Sequence, residues 1–339
     1  MADVIIASPG VDTKDTSSPK DRLKLFLKVF SGQVLTAFTQ STKTGGKFME
    51  RTIEHGKSAT FPVVGRAKAK YLKAGKSLDD LRTPIEHGEL DIKIDGLLTS
   101  DCLIFDLDEA MSHYDLASKY SKEMGEALAV AQDCAIIAEV AKLVVADTEN
   151  IPTNSTTGVK GTGKGAIITK TGITIGENEQ MGKAIAEMLL QIKTKMSENY
   201  VPEGERYCYI RPVAMNALLA NKDVLNKLYG ATVTIDANTQ SMKLFGFDLI
   251  ETTDLTMGGA AVNAGVVQGS GHVFPAAYVD SAMFLVAHRT AVGTLTLKDL
   301  AMEHARRANL QADEIIAKYA KGYDGLRPEA AFMGVVTAG

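Results

Sequence analysis

Cysteine is scarce in this 339-residue chain, and the three that occur, Cys102, Cys134 and Cys208, lie far apart. An odd, scattered set is a poor disulfide framework, so the sequence points to folding in a reducing compartment. Long apolar runs are also missing. Nothing approaches the roughly 18 residues expected of a membrane-spanning helix. The best candidate, Ala135 to Ala146, is broken by Glu139 and Lys142. The first residues, Met1 to Gly10, carry Asp3 and no basic cluster, which argues against a secretory signal. The six histidines, His55, His87, His113, His272, His288 and His304, show no HExxH spacing and no C-x-x-C partner. No zinc site is therefore written locally. No repeat with a period of roughly 20–50 residues is visible.

What remains is the composition of an ordinary soluble globular protein, 45% hydrophobic and 23% charged. Its length is enough for a substantial core and favours two or more lobes. The net charge of −4 conceals an asymmetry: between Lys14 and Glu86 there are 15 Lys plus Arg against 7 Asp plus Glu. Three readings fit such a basic stretch: a solvated face, a surface seeking an acidic neighbour such as another copy of the chain, or a nucleic-acid contact. The third lacks the regular aromatic interleaving of a base-stacking platform.

Within that basic stretch, Gly45 to Gly96 reads as β-structure with little core of its own. Lys47 to His55 is mixed in pattern. Arg66, Lys68 and Lys70 alternate with Ala67, Ala69 and Tyr71, and Leu90, Ile92 and Ile94 alternate with Asp91, Lys93 and Asp95. Period-two alternation predicts strands with one wet face. An isolated hairpin is marginal in water, so the expectation is that another subunit covers the apolar face.

Residues 1–19 are small and polar with Pro9, Gly10 and Pro19, and Lys20 to Phe30 has Leu23, Phe26, Leu27 and Phe30 at helical spacing. From Asp108 to Ala146 there is no proline and one glycine, Gly125, which would permit a bend. Met111, Tyr114, Tyr120, Met124, Ala127, Leu128, Ala131, Cys134, Ala138, Ala141 and Val145 recur mostly at intervals of three and four. Asp106 followed by Glu109 resembles a capping box. A helix over 108–146 would be about 58 Å long, far beyond the usual three turns, and needs a long surface to lie along. Asn150 to Ile175 is a Gly/Thr/Ser/Lys-rich connection that marks a lobe boundary. Beyond it, the pattern predicts helices over 181–197 and 213–220, strands over 207–210 and 244–251, and a Gly/Ala-rich loop over 256–271. That mixture predicts an α+β lobe.

Local chemical motifs fail on inspection. Gly158 to Gly165 matches seven positions of a P-loop, but the eighth, where magnesium needs a hydroxyl, is Gly165. Asp91 to Gly96 faintly resembles a calcium loop, but its third position is Lys93 and its twelfth Cys102. Ser270 lacks the glycine two residues earlier that a nucleophile elbow requires, because Gln268 stands there. The expectation is a protein without catalytic residues, metal or cofactor.

Four collinear blocks carry more weight: LKLFLKVFSGQVLTAF (Leu23 to Phe38), GKSATFPVVGRAKAKYL (Gly56 to Leu72), IDGLLTSDCLIFDLDEAMSHYD (Ile94 to Asp115) and HRTAVGTLTLKDLAMEHARRANLQADEIIAKYAKGYDGLRPEAA (His288 to Ala331). They closely resemble the major capsid proteins of short-tailed, T-seven-like bacteriophages. The resemblance implies an α+β Hong Kong 97-type capsid fold. Its parts would be an N-terminal arm (1–44), an extended β-hairpin loop (45–96), a peripheral domain with a long spine helix (97–149), an axial α/β lobe (150–286) and a return to the peripheral domain (287–339). It further implies self-assembly as hexamers and pentamers into an icosahedral virion shell around double-stranded DNA, held without sequence specificity. Assembly would take place in the bacterial host cytoplasm with a scaffolding protein and a portal, with room for decoration proteins and no membrane. The expected inter-subunit contact residues are Lys57, Phe61, Arg66, Lys68, Lys70 and Tyr71. Competing readings are an encapsulin-like cellular compartment shell of the same fold, a phosphate-binding enzyme using Gly158 to Gly165, and a tail adaptor. One conflict is internal: Ala305 to Lys321 is rich in helix formers, whereas the resemblance implies strands there.

Overall fold

The computed structural model describes residues 32–64, 69–79, 82, 85, 87–105, 116–146, 164–176, 178–221, 232–233, 242–255, 267 and 271–337. In chain order the described elements begin with α1 (32–41), β1 (Met49–Thr52), β2 (Ser58–Val64), β3 (His87–Lys93), β4 (Leu98–Phe105) and α2 (Leu116–Val145). They continue with β5 (Ala166–Thr171), α3 (Asn178–Glu198), β6 (Arg206–Ile210), α4 (Pro212–Ala220), β7 (Thr232–Val233), β8 (Met242–Leu244) and β9 (Phe247–Glu251). The chain closes with β10 (Ala282–His288), β11 (Val292–Arg307), β12 (Ala312–Gly325) and β13 (Ala331–Thr337). No helix among the described residues is long and apolar enough to cross a membrane.

The chain divides into two compact units, Met1–Thr42 with Gly96–Val130 and Lys298–Ala320, and Lys43–Asp95 with Ala131–Leu297 and Lys321–Gly339. In the first unit, β4 pairs antiparallel with β12, from Ala312 opposite Phe105 to Tyr319 opposite Leu98. One face of these strands buries Ile104, Ile315, Ala317 and Tyr319 against Met124 and Leu128 of α2 and Val34 of α1. Three and four residues separate the inward positions of each helix, the spacing of a single apolar face.

Gly125 explains how closely α1 approaches. A Cβ there would sit 2.6 Å from the Val34 carbonyl oxygen and 3.0 Å from the Phe38 nitrogen, so the missing side chain makes room for backbone, a different role from the bend expected of it. Helix propensity alone would make Gly125→Ala stabilising by about 1 kcal/mol. Here the steric cost of overpacking, about 1–3 kcal/mol, reverses the sign. Chemical denaturation should therefore show a lowered midpoint for Gly125→Ala, and a raised one would refute the close approach.

The second unit holds a seven-stranded sheet in the order β5-β13-β10-β6-β9-β8-β7. Its central strands are buried along their length: all seven residues of β10 and six of the seven of β13 are inaccessible. Near-continuous apolar runs of this kind are what a strand covered on both faces requires. Met181, Ile185, Met188, Leu189, Ile192 and Met196 of α3 join the same core as Ile136, Ile137, Val140 and Val144 of α2.

Two expectations need correction. The predicted strand over 244–251 is two strands, with Leu244 opposite Phe247. Phe245 and Gly246 at φ of 53° and 88° form the two-residue turn between them. Second, the helix-rich composition of 305–321 does not decide its state. The segment lies in β11 and β12, with Ala308 to Gln311 turning between them. Ile315, Ala317 and Tyr319 bury on one face. Across the strands, Arg307 pairs with Glu314 at 2.5–2.6 Å, Arg306 with Asp313 at 3.0 Å, and Lys318 with Glu303. Cross-strand pairs and burial outweigh weak local propensity. The described part of the long helix is 30 residues, about 45 Å; its predicted start at 108–115 lies outside the described residues, as does the amphipathic stretch 20–30.

Candidate inter-subunit surface

The hairpin is formed by β2 and β3, paired from Ser58 opposite Lys93 to Val64 opposite His87. It differs from the sequence reading, which placed a strand on 66–71. Lys70 and Tyr71 lie in irregular chain, and Arg66 and Lys68 lie outside the described residues. The physical reason is on the inward face. Phe61 and Val63 supply large buried side chains, at 7% and 4% exposure, where Ala67 and Ala69 offer only methyl groups.

The apolar face at the hairpin root is covered by its own chain. Phe61 and Ile92 bury against Leu295 of β11 and Leu326, flanked by Ile53, Ala59, Leu90 and Ile94. The expectation that another subunit must cover this face is therefore corrected for the root. The Arg51 guanidinium lies 5.8 Å from the centre of the Phe61 ring and donates to the Thr60 carbonyl at 2.7 Å. Phe61 does not present its ring to solvent. Lys57, Lys70 and Tyr71 lie on the outside, and Tyr71 is fully exposed at 100%. Nearby, Leu72, Leu78 and Ile85 are also exposed large apolar side chains. Lys73 and Lys76 stand among them. Arg82 pairs with Asp79 at 3.1 Å.

A second arrangement was not legible in the sequence. Where the hairpin ends, Asp95 Oδ2 lies 2.8 Å from His272 Nε2, and Glu139 Oε1 of α2 lies 2.7 Å from His272 Nδ1. Lys142 bonds Glu139 at 2.7 Å and donates to the Gly271 carbonyl. Burial lowers the imidazole's proton affinity, but the hydrogen bonds and charges of Asp95 and Glu139 outweigh it and raise its pKa to about 9. Burial likewise pushes Glu139 upwards, and the bonds from His272 and Lys142 bring it below its ordinary value. The imidazole is thus a cation that donates from both nitrogens. Asp95, read from sequence as the fifth position of a degraded calcium loop, is a histidine partner. No group of three His, Cys, Asp or Glu among the described residues could hold a metal.

Asp133 of α2 makes a further buried anchor. Its Oδ2 accepts the Lys43 N–H at 2.7 Å; Oδ1 accepts the Thr44 N–H at 3.1 Å and its hydroxyl at 2.5 Å. Burial drives its pKa to about 6 despite these bonds. Gly165 resolves the P-loop likeness. A Cβ there would meet the Ala331 and Pro328 carbonyl oxygens at 2.6 and 2.7 Å, so this glycine serves backbone packing. Gly158 to Gly163 lie outside the described residues.

The family model for Gp10A-like major capsid protein matches residues 60–334. The major capsid protein of Enterobacteria phage T3 is 44% identical over 95% of this chain and 94% of its own length. That of Escherichia phage T7 is 43% identical over 92% and 91%. Among solved structures, the capsid of cyanophage P-SCSP1u superposes with a TM-score of 0.69 at 30% identity, covering 96% of this chain and 97% of that one. The fold is thus the α+β phage-capsid fold, and the chain belongs to the Gp10A-like family of major capsid proteins, the structural subunits of a virion shell.

Proposed function

We propose that this chain builds hexamers and pentamers of an icosahedral shell around double-stranded DNA, and that the tip of the β2–β3 hairpin reaches a neighbouring subunit. The observation that carries this is the contrast within the hairpin. Its root buries Phe61 and Ile92 internally, whereas Tyr71, Leu72, Leu78 and Ile85 are exposed among lysines. Exposed apolar side chains grouped at the end of an arm mark a contact surface. In this reading 1–44 is the N-terminal arm, 45–96 the extended loop, 97–149 and 287–339 the peripheral domain, and 150–286 the axial domain. Head-to-tail placement of one surface on another closes rings. Lys57, Arg66, Lys68, Lys70 and Tyr71 form the contact set, while Phe61 supports it from within. A scaffolding protein and a portal complete assembly in the host cytoplasm. Contact with packaged DNA is non-specific and modest at a net charge of −4.

The test is reversal of Arg66, Lys68 and Lys70 together to glutamate. Exposed ion pairs contribute about 0–1 kcal/mol each, so losing three per contact weakens each contact up to about a hundredfold. Negative-stain microscopy should show folded subunits with particle yield reduced at least about tenfold. Normal yields of normally sized particles would refute this role for the basic side chains.

A further inference from the structure

We propose that the Asp95–His272–Glu139 chain is a charge-dependent latch that locks the exit of the β2–β3 hairpin onto α2, and that neutralising the imidazole releases it. This rests on the hairpin being the contact arm, and it adds the element that sets the arm's position.

The geometry isolates one joint. β3 ends at Lys93, and Ile94 to Leu97 has no regular structure before β4 begins. At this joint the backbone is held by two hydrogen bonds: the Ile94 N–H donates to the Lys57 carbonyl at 2.9 Å, and the Asp95 N–H to the Lys321 carbonyl at a longer 3.3 Å. Gly322 permits the approach, because a Cβ there would meet the Lys93 carbonyl carbon at 2.8 Å and the Ile94 Cα at 3.0 Å. The only side chain of the joint engaged in this buried network is Asp95, through His272. On the far side the imidazole is tied to the last third of α2 by Glu139.

The groups facing His272 come from each element around it: Asp95 from the hairpin exit, Glu139 and Lys142 from α2, and Tyr323 and Asp324 from β12. The Tyr323 ring stands edge-on to the imidazole at 5.7 Å. Two carboxylates can both accept from the ring only while each nitrogen bears a proton. A neutral imidazole keeps one N–H, so one carboxylate must face a lone pair. Glu139 retains Lys142 as a partner. Asp95 is the carboxylate that lets go, and with it the hairpin exit.

Neutralisation falls in an accessible range, since the ring loses its proton near pH 9. Hydrogen exchange of the full-length chain, before and after assembly, reads the latch directly once rates are corrected for the intrinsic dependence on pH. Peptides spanning 87–96 should lose about tenfold or more of their protection between pH 7 and pH 9.5. His272→Gln should show that low protection already at pH 7, with no further change. Peptides from β10 and β13 should stay protected throughout. Should His272→Gln also unprotect β10 and β13, Asp95→Ala decides, because it removes the acceptor of the latch and leaves Glu139 and its partners in place; it should loosen 87–96 alone. Unaltered protection of 87–96 in the wild type across this range, or in Asp95→Ala at pH 7, overturns the proposal. Failure of the wild-type chain to form particles would instead overturn the assembly reading, so the two failures are told apart.

Discussion

Ala127→Pro is expected to eliminate the folded subunit. Ala127 is exposed on α2, so the substitution removes no buried contact. The effect is confined to the backbone: proline deletes one helical hydrogen bond, and its ring collides with the carbonyl four residues earlier, costing about 3 kcal/mol or more. On either side of it, Met124 and Leu128 belong to the core formed with Val34, Ile315 and Tyr319. Further along the same helix, Ile136, Ile137, Val140 and Val144 belong to the core of the large sheet. A kink at 127 misaligns the helix with at least the first of these cores. Against a typical domain stability of about 5–15 kcal/mol, the combined loss leaves little soluble protein. Far-UV circular dichroism and the soluble yield measure it, with Ala127→Lys as a control that should behave as wild type. Unchanged helicity and melting in the proline variant would show that the helix does not pass through 127 as described.

Much of this architecture was legible because burial imposes a period. Ala184, Met188 and Ile192 announced α3, and the prolineless run up to Val145 announced α2. The hairpin was placed in the right segment, but its first strand was read from the alternation at 66–71, whereas β2 is Ser58–Val64. Basic residues and alanine alternate from Arg66 to Lys70, while Phe61 and Val63 of β2 carry the area that burial rewards. What covers that area was not legible either, because Leu295 and Leu326 lie more than 200 residues away in sequence; β1 pairs parallel with β11, Met49 opposite Gly293, and the Leu326 N–H bonds the Ala291 carbonyl. Composition misled at 305–321, where Ala, Glu and Lys favour a helix locally and the cross-strand pairs of Arg307 and Arg306 exist only once the hairpin forms. The His272 network is the extreme case. Asp95, Glu139 and His272 share no spacing that any motif would register, and Glu139 read merely as an interruption of an apolar run. The one available signal was that interruption: a carboxylate on the buried face of a long helix needs a partner.

Subunit stability is expected to fall through two adjoining windows as pH rises from 5 to about 9. His272 has a folded-state pKa of about 9 against an ordinary 6.5. The folded state therefore holds the proton more tightly, and this contribution is complete below about pH 6.5 and lost as pH rises through 9. The displacement is on the order of 3 kcal/mol. Asp133 acts with the same sign in a lower window. Burial raises it to about 6 from 3.8, so its protonated form favours the folded state, and that advantage disappears as pH climbs from 3.8 through 6, again on the order of 3 kcal/mol. Glu139 runs the opposite way: its pKa is lowered, so its contribution is present above the ordinary carboxylate range and lost only in acid, below the window considered. Denaturant midpoints measured from pH 5 to pH 10 should thus decline up to about pH 6 as the Asp133 contribution is lost, go on declining from about pH 6.5 to about 9 as the His272 contribution is lost, and level off above that. His272→Gln should abolish the upper decline and keep the lower one; Asp133→Asn should do the reverse, since the amide oxygen still accepts from the Lys43 and Thr44 N–H groups without titrating. Midpoints that stay flat between pH 7 and pH 10 in the wild type would mean that His272 is not held as a cation between Asp95 and Glu139.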